Sequence, residues 1–489
     1  MRSANFSKKE EFALLGNYGM KRILGLLVIF WLGWANSVQA QNYDEIFNAF
    51  ANQNQQQFNN FVDSINKQFA EAMAANMKAF TGEQPMVRDS KPKPDKLPEI
   101  KKNEVPELPV VKPQLPPQES PDKPVEDKPS SFPAEQLNFL DFNLFGENIH
   151  LIKKPFPSGL KGIAVDDVSD FWVQLSECDH EEMLQRCRIA RQQQAFNDWA
   201  VYQLVLRMAQ QIYDHQYNEQ VVMTVFLLNQ LGMEAKVGFA QTHLFCLIAV
   251  EQQLYGISFV DIAGKRYYIF ELDPYYNHIK GSMAFRTYDI PFPESTHGLD
   301  MNLPQPLKSI DTANAEKEIH INLSMIELFK TYPQVDMSVY ANATPSKLFC
   351  ESIEQAFKPY LKTQSTYDAV SFLLAYLQYG FDYATDDEQF GFEKPFFCEE
   401  NYYYPYNDCE DRSVLFSFLV RHLLHLDVVL IDYPGHMAAA VHFPTEVKGE
   451  YVQHKGKKYV ICDPTYIGAP VGMEMPDFTL ADRSIIPLQ

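Results

Sequence analysis

The chain has 489 residues and a formal net charge of −21, from 42 Lys+Arg against 63 Asp+Glu. It is long enough for more than one domain. The acidic balance argues against nucleic-acid binding, which needs basic surface to neutralise phosphates, and identifies no substrate.

Residues 1–40 read as a signal peptide. Met20-Lys21-Arg22 is a positive start, Ile23 to Ala35 a short apolar run, and Val38-Gln39-Ala40 a cleavage site before Gln41. Met20 is the alternative start of translation. The apolar run is short for a spanning helix, so an uncleaved signal anchor is the one membrane attachment expected. The mature protein is expected to be exported, periplasmic or extracellular. Residues 41–81 place Ile46, Phe50, Phe58, Phe61, Ile65 and Phe69 near helical spacing, which predicts an amphipathic helical segment. A protein partner, a membrane or the folded body would cover its apolar face. Residues 82–133 alternate Pro with Lys, Glu and Asp, a composition that buries no core and reads as a stiff, disordered linker.

The folded body is expected from residue 134. In residues 134–280, Asp198-Trp199-Ala200-Val201 opens a helix running to Tyr213, and an apolar run from Val221 to Leu231 predicts another. Residues 281–345 lack a strong helical pattern, and alternation at 320–323 and 336–340 predicts strands in a connecting, β-rich segment. In residues 346–489, a helix runs from Tyr367 to Tyr383. An acidic and aromatic insert, from Asp386 to Tyr404, then reads either as a cleft wall or as a packed surface loop. Val414, Leu415, Phe418, Leu419 and Leu423 predict a buried helix from about Asp411 to Leu424, capped by Asn407 or Asp408. Three strands follow: 428–431, then 436–443 after the Pro434-Gly435 turn, then 458–462 after Gly456. Asp463-Pro464 ends the last. The fold class expected is α+β, a helix packed on an antiparallel sheet.

That arrangement delivers Cys409 at a helix start, His436 at a strand start and Asp463 at a strand end. A thiol needs a base to become a thiolate, and the base needs a third group to hold its tautomer. A helix N-terminus favours a thiolate and an oxyanion alike. Asn401, Tyr404 and Tyr406 are the candidate oxyanion or cleft residues. Asp408, Glu410 and Asp411 crowd the thiol and raise its pKa unless they are paired or turned away, while Arg412 opposes them. Asp411 is the one expected to bond the loop before Cys409. Seven cysteines leave an odd thiol in an exported chain. The histidine pairs His422/His425 and His436/His442 lack companion ligands at metal spacing, so no metal and no cofactor are expected.

The motifs Asp408-Cys409-Glu410-Asp411-Arg412-Ser413-Val414-Leu415-Phe416, Pro434-Gly435-His436 and Cys462-Asp463-Pro464-Thr465-Tyr466 resemble the transglutaminase-like superfamily of papain-like cysteine enzymes. The resemblance covers residues 366–465. It implies Cys409 as nucleophile, His436 as base and Asp463 as orienter in a transglutaminase-like domain over 346–489. The expected activity is cleavage of amide or peptide bonds in a protein or peptide substrate, with peptidase or amidase ahead of cross-linking acyl transfer. The alternative is a non-catalytic scaffold or protein-binding module.

The stretch from Asn197 to Asp273 repeats the plan. Without gaps, His243 falls on His436 and Gln216 on Cys409. Gly264-Lys265-Arg266-Tyr267 follows the pattern of Gly456-Lys457-Lys458-Tyr459 and puts Glu271 at the Asp463 position. Residues 134–280 are therefore expected to be a degenerate first copy, with no nucleophile at Gln216.

Overall fold

The computed structural model describes residues 79–84, 139–152, 154–240, 242–272, 283–288, 296–309, 312–314, 319–478 and 482–489. The expected signal peptide lies outside them, as do most of the expected helical segment and linker. Among the described residues no helix is long and apolar enough to cross a membrane.

In chain order the elements begin with β1 (Ala79–Gln84), β2 (Phe139–Leu144), β3 (Glu147–Ile152), α1 (Val165–Glu177), α2 (Glu181–Gln194), α3 (Asp198–Ile212) and α4 (Tyr217–Gln230). Next come β4 (Ala235–Ala240), β5 (His243–Ala249), β6 (Phe259–Ile262), β7 (Lys265–Phe270), β8 (Met283–Tyr288), β9 (Thr312–Asn314) and β10 (His320–Asn322). Helices α5 (Leu323–Phe329), α6 (Met337–Asn342), α7 (Lys347–Leu361), α8 (Thr366–Gly380) and α9 (Asp386–Gln389) lead to a 3-10 turn, Cys398–Tyr402. The last elements are α10 (Cys409–Leu424), β11 (Val428–Tyr433), β12 (His436–Val441), β13 (Tyr451–His454), β14 (Lys457–Cys462) and β15 (Ser484–Pro487).

The protein is α+β, with helices packed on antiparallel sheets. Helix α10 is buried from Cys409 through Val420, as an apolar helix enclosed by protein should be. It packs on β12 and β11, and against α8. In the first half, α4 packs on β5 and β4, and against α3. The sheet orders run in parallel: β8-β4-β5-β7-β6 with β1 at its edge, and β15-β11-β12-β14-β13. Both sheets turn between their last paired strands with two consecutive positive-φ residues, Ala263-Gly264 and Lys455-Gly456, as a tight hairpin twist demands. The registers agree too. Cys246, on the strand begun by His243, pairs with Phe270, the neighbour of Glu271; Ala439, on the strand begun by His436, pairs with Cys462, the neighbour of Asp463. One buried cluster runs through both halves.

Two stretches differ from the sequence reading. Met337–Asn342 is a helix, where alternation predicted a strand; a short run fits both periods, and Met337, Tyr340 and Ala341 share one buried helical face. Strand β1 takes the end of the expected helical segment and the start of the expected linker, and pairs antiparallel with β8. Ladder hydrogen bonds to an existing sheet edge are long-range partners that local composition does not encode.

Candidate functional site

Helix α10 starts at Cys409. Asp408 is its N-cap and accepts from the Asp411 N–H, while Asp411 Oδ2 accepts from the Asp408 N–H at 3.1 Å. Asp411 Oδ1 takes the Phe396 N–H at 2.8 Å. Both oxygens of Asp411 are thus spent on backbone donors, and they tie the insert to the helix start. Arg412 is fully buried; its Nη2 donates to the Phe381 carbonyl at 2.9 Å, and the guanidinium lies 5.4 Å from the Tyr383 ring centre.

His436 follows the Pro434-Gly435 turn of the β11–β12 hairpin, where Gly435 has φ 75° and Tyr433 pairs with His436. A proline followed by a positive-φ glycine suits such a turn. His436 Nε2 is 2.8 Å from Asp463 Oδ2, and the two side chains are 1% and 3% exposed. The ring stacks on Tyr433 at 5.9 Å and on Phe478 at 4.9 Å, and those two rings also touch each other. Asp463 Oδ1 accepts the N–H groups of Thr465 and Tyr466 at 2.9 and 3.0 Å, so the carboxylate cannot rotate without leaving donors unpaired. Gln378 on α8 completes the support: its amide donates to the carbonyls of Asp463 and Ala469 and accepts from the Gly468 N–H. The bonds to Asp463 Oδ2 and the geometry of the pair leave the imidazole with Nδ1 buried and without a hydrogen-bond partner.

The thiol of Cys409 is 0% exposed, and it donates to Glu410 Oε2 at 2.8 Å rather than to His436. The Met437 N–H, next to His436, also points at the sulfur, and Ser413 Oγ donates to the Met437 carbonyl. The first turn of α10 therefore lies against the start of β12. Burial pushes the thiol pKa well up, the charges of Glu410 and Asp408 push it further, and the Met437 N–H opposes them.

The remaining candidates separate. Asn401 is buried, its amide donating to the Phe397 carbonyl and accepting from Asn407. Tyr404 stacks among Phe390, Phe396 and Tyr403 in the insert. Tyr406 is 41% exposed, with its backbone held by Gln389. In the first half, Gln216 is the N-cap of α4 and lines a cavity of about 480 Å³ with Tyr213 and the 154–158 segment. His243 Nδ1 meets Thr242 Oγ1 at 3.2 Å, and Glu271 is half-buried just past β7.

Acidic groups converge around the helix start. Oxygens of Asp386, Asp408 and Asp411 lie within 4.8 Å of one another, as do Asp408, Cys409 and Glu410 donor atoms. Besides the capping bonds, Asp386 Oδ2 takes the Lys394 N–H at 2.5 Å, and Arg412 supplies positive charge within range of Asp408 and Asp411. This arrangement is a hydrogen-bond hub built on backbone donors. The sequence reading missed Glu410 as the thiol's acceptor and Gln378 as the support of Asp463. A glutamine on the buried face of an apolar helix, beside Tyr376 and Leu377, was the available signal for Gln378.

Burial raises the carboxyls of Asp408 and Asp411 well above the usual range, that of Asp386 to about 8, and that of Glu399 to about 7. Folded-state values above unfolded ones mean the native state binds more protons. That stabilisation is complete below the unfolded values near 4 and is lost as pH rises through the folded values. Urea unfolding at about pH 5, 7 and 8.5 is expected to show stability falling by on the order of a few kcal/mol across that range. A stability that rises steadily with pH would contradict the burial of these acids.

Searches against protein-family models, curated proteins and solved structures find no match to the chain.

Proposed function

We propose that the protein is an exported cysteine hydrolase of transglutaminase-like type, in which Cys409, His436 and Asp463 cleave amide or peptide bonds. The observation that carries this reading is the buried His436–Asp463 pair at the head of β12, the strand whose Met437 N–H points at the Cys409 sulfur. His436 Nδ1 takes the thiol proton and Cys409 sulfur attacks the carbonyl carbon. The proton then passes to the departing amine, and water, deprotonated by His436, releases the acid from the thioester. Nε2–H stays on Asp463 throughout. Backbone N–H groups at the start of α10 are the proposed donors to the developing oxyanion.

The matching sheet orders and registers support two copies of one fold, of which the first lacks a nucleophile and serves structure or substrate docking. Peptidase or amidase action stands ahead of acyl transfer to an amine.

A second reading, a non-catalytic scaffold or binding module, is favoured by the complete burial of Cys409. Incubation with p-nitrophenyl acetate separates them. The enzyme reading expects release of p-nitrophenolate and an acetyl group on Cys409 by mass spectrometry, both lost in Cys409→Ala. Release that persists unchanged in Cys409→Ala, with Cys409 unmodified in the native chain, leaves the scaffold reading.

A further inference from the structure

The nucleophile and the base of the proposed site do not bond to one another. The Cys409 thiol donates to Glu410 Oε2, while His436 Nδ1, on a side chain only 1% exposed, has no hydrogen-bond partner. A buried ring nitrogen without a donor is costly, and the Cys409 S–H is committed to Glu410. We propose that Glu410 is a latch on the Cys409 thiol. It holds the sulfur protonated and turned from His436, and the site becomes competent when the Glu410 side chain swings away. The inference rests on the reading of Cys409 and His436 as nucleophile and base.

The surroundings explain why this contact is the movable one. Facing the Glu410–Cys409 pair are Asp408, Asp411 and Arg412 on α10, Asp386 on α9, Tyr383 before it, and the Met437 N–H on β12; the neighbouring His436 bonds Asp463. Asp408 and Asp411 are anchored in the capping box, Asp386 on Lys394, and Arg412 on Phe381. Glu410 is 6% exposed, whereas Asp408, Cys409, Asp411 and Arg412 are all 0%. It is buried but the least enclosed of these residues, which makes its side chain the one nearest to solvent.

The step is balanced. With Glu410 withdrawn, the thiol proton moves from sulfur to His436 Nδ1. The product is a thiolate and an imidazolium, the latter held by Asp463, with no other atom or electron exchanged. While Glu410 remains, an acceptor bonded to the S–H favours S–H over S⁻. The latch keeps an exported hydrolase quiet until a substrate or partner displaces one side chain.

Iodoacetamide labelling of Cys409, followed by mass spectrometry from about pH 6 to about pH 10, tests the latch on the full chain. In Glu410→Gln and Glu410→Ala the midpoint of the labelling curve is expected to fall by at least about one pH unit, which is about tenfold faster labelling near neutrality. Better reagent access alone would speed labelling at every pH and leave the midpoint in place, so the midpoint distinguishes release from opening. The glutamine variant keeps the side-chain shape should the alanine variant fail to fold. Adding His436→Ala to Glu410→Gln is expected to abolish the gain. An unmoved or raised midpoint, in variants that unfold as the native chain does, overturns the latch. A lowered midpoint that survives His436→Ala keeps the latch and overturns the nucleophile–base pairing instead.

Discussion

Replacing His436 with alanine is expected to slow acetylation of Cys409 by p-nitrophenyl acetate about 100- to 10,000-fold under the proposed chemistry, the usual contribution of a positioned base. The imidazole is the group proposed to take the thiol proton and return it to the leaving group. Its surroundings hold it in place. Asp463 holds Nε2, Thr465 and Tyr466 hold Asp463, and Gln378 holds the chain at Asp463 from α8. Tyr433 and Phe478 fix the ring plane. Asp463→Asn keeps an acceptor for the backbone donors, so it is expected to fold normally and to slow the same step less than His436→Ala does. Stopped-flow absorbance of p-nitrophenolate reads both variants. Equal rates in the native chain and in His436→Ala would end the assignment of His436 as base.

The second large effect is on stability. Arg412→Met is expected to cost about 3–5 kcal/mol at about pH 8, the range for removing one partner from buried charge. Arg412 is the positive charge placed among Asp408, Asp411 and the thiol, and burial already lowers its own pKa to about 10, so it remains charged under these conditions. Methionine fills similar volume but leaves the carboxylates without compensation. At about pH 5 the same substitution should cost clearly less, because acids whose folded values are raised can take protons in its place. Urea unfolding of both chains at the two pH values measures the difference. A loss that is the same at both would assign Arg412 a packing role alone.

Much of the local architecture is legible in the residues. The buried helix after Asp408 follows from apolar spacing at Val414, Leu415, Phe418 and Leu419 and from a capping aspartate; it begins at Cys409, two residues before the expected Asp411. The strand starting at His436 follows from Pro434-Gly435, and the end of β14 from Asp463-Pro464. The expectation that Asp411 bonds the loop before Cys409 matches its acceptance of the Asp408 and Phe396 N–H groups. Met337–Asn342 was misread because so short a run carries no usable period. Strand β1 escaped notice because its partner, β8, is remote in the chain.

The sequence by itself determined which residue types stand at the helix start, the strand start and the strand end, since capping, turn chemistry and periodicity act over a few neighbouring residues. Only the tertiary structure decided what those residues touch. It set Asp463 on His436 through the pairing of β12 with β14, placed Gln378 behind them from another helix, and buried the thiol completely. It also aimed the Cys409 S–H at Glu410. That choice depends on a side-chain rotamer and on the low-dielectric packing of several chain segments, neither of which is written in local spacing.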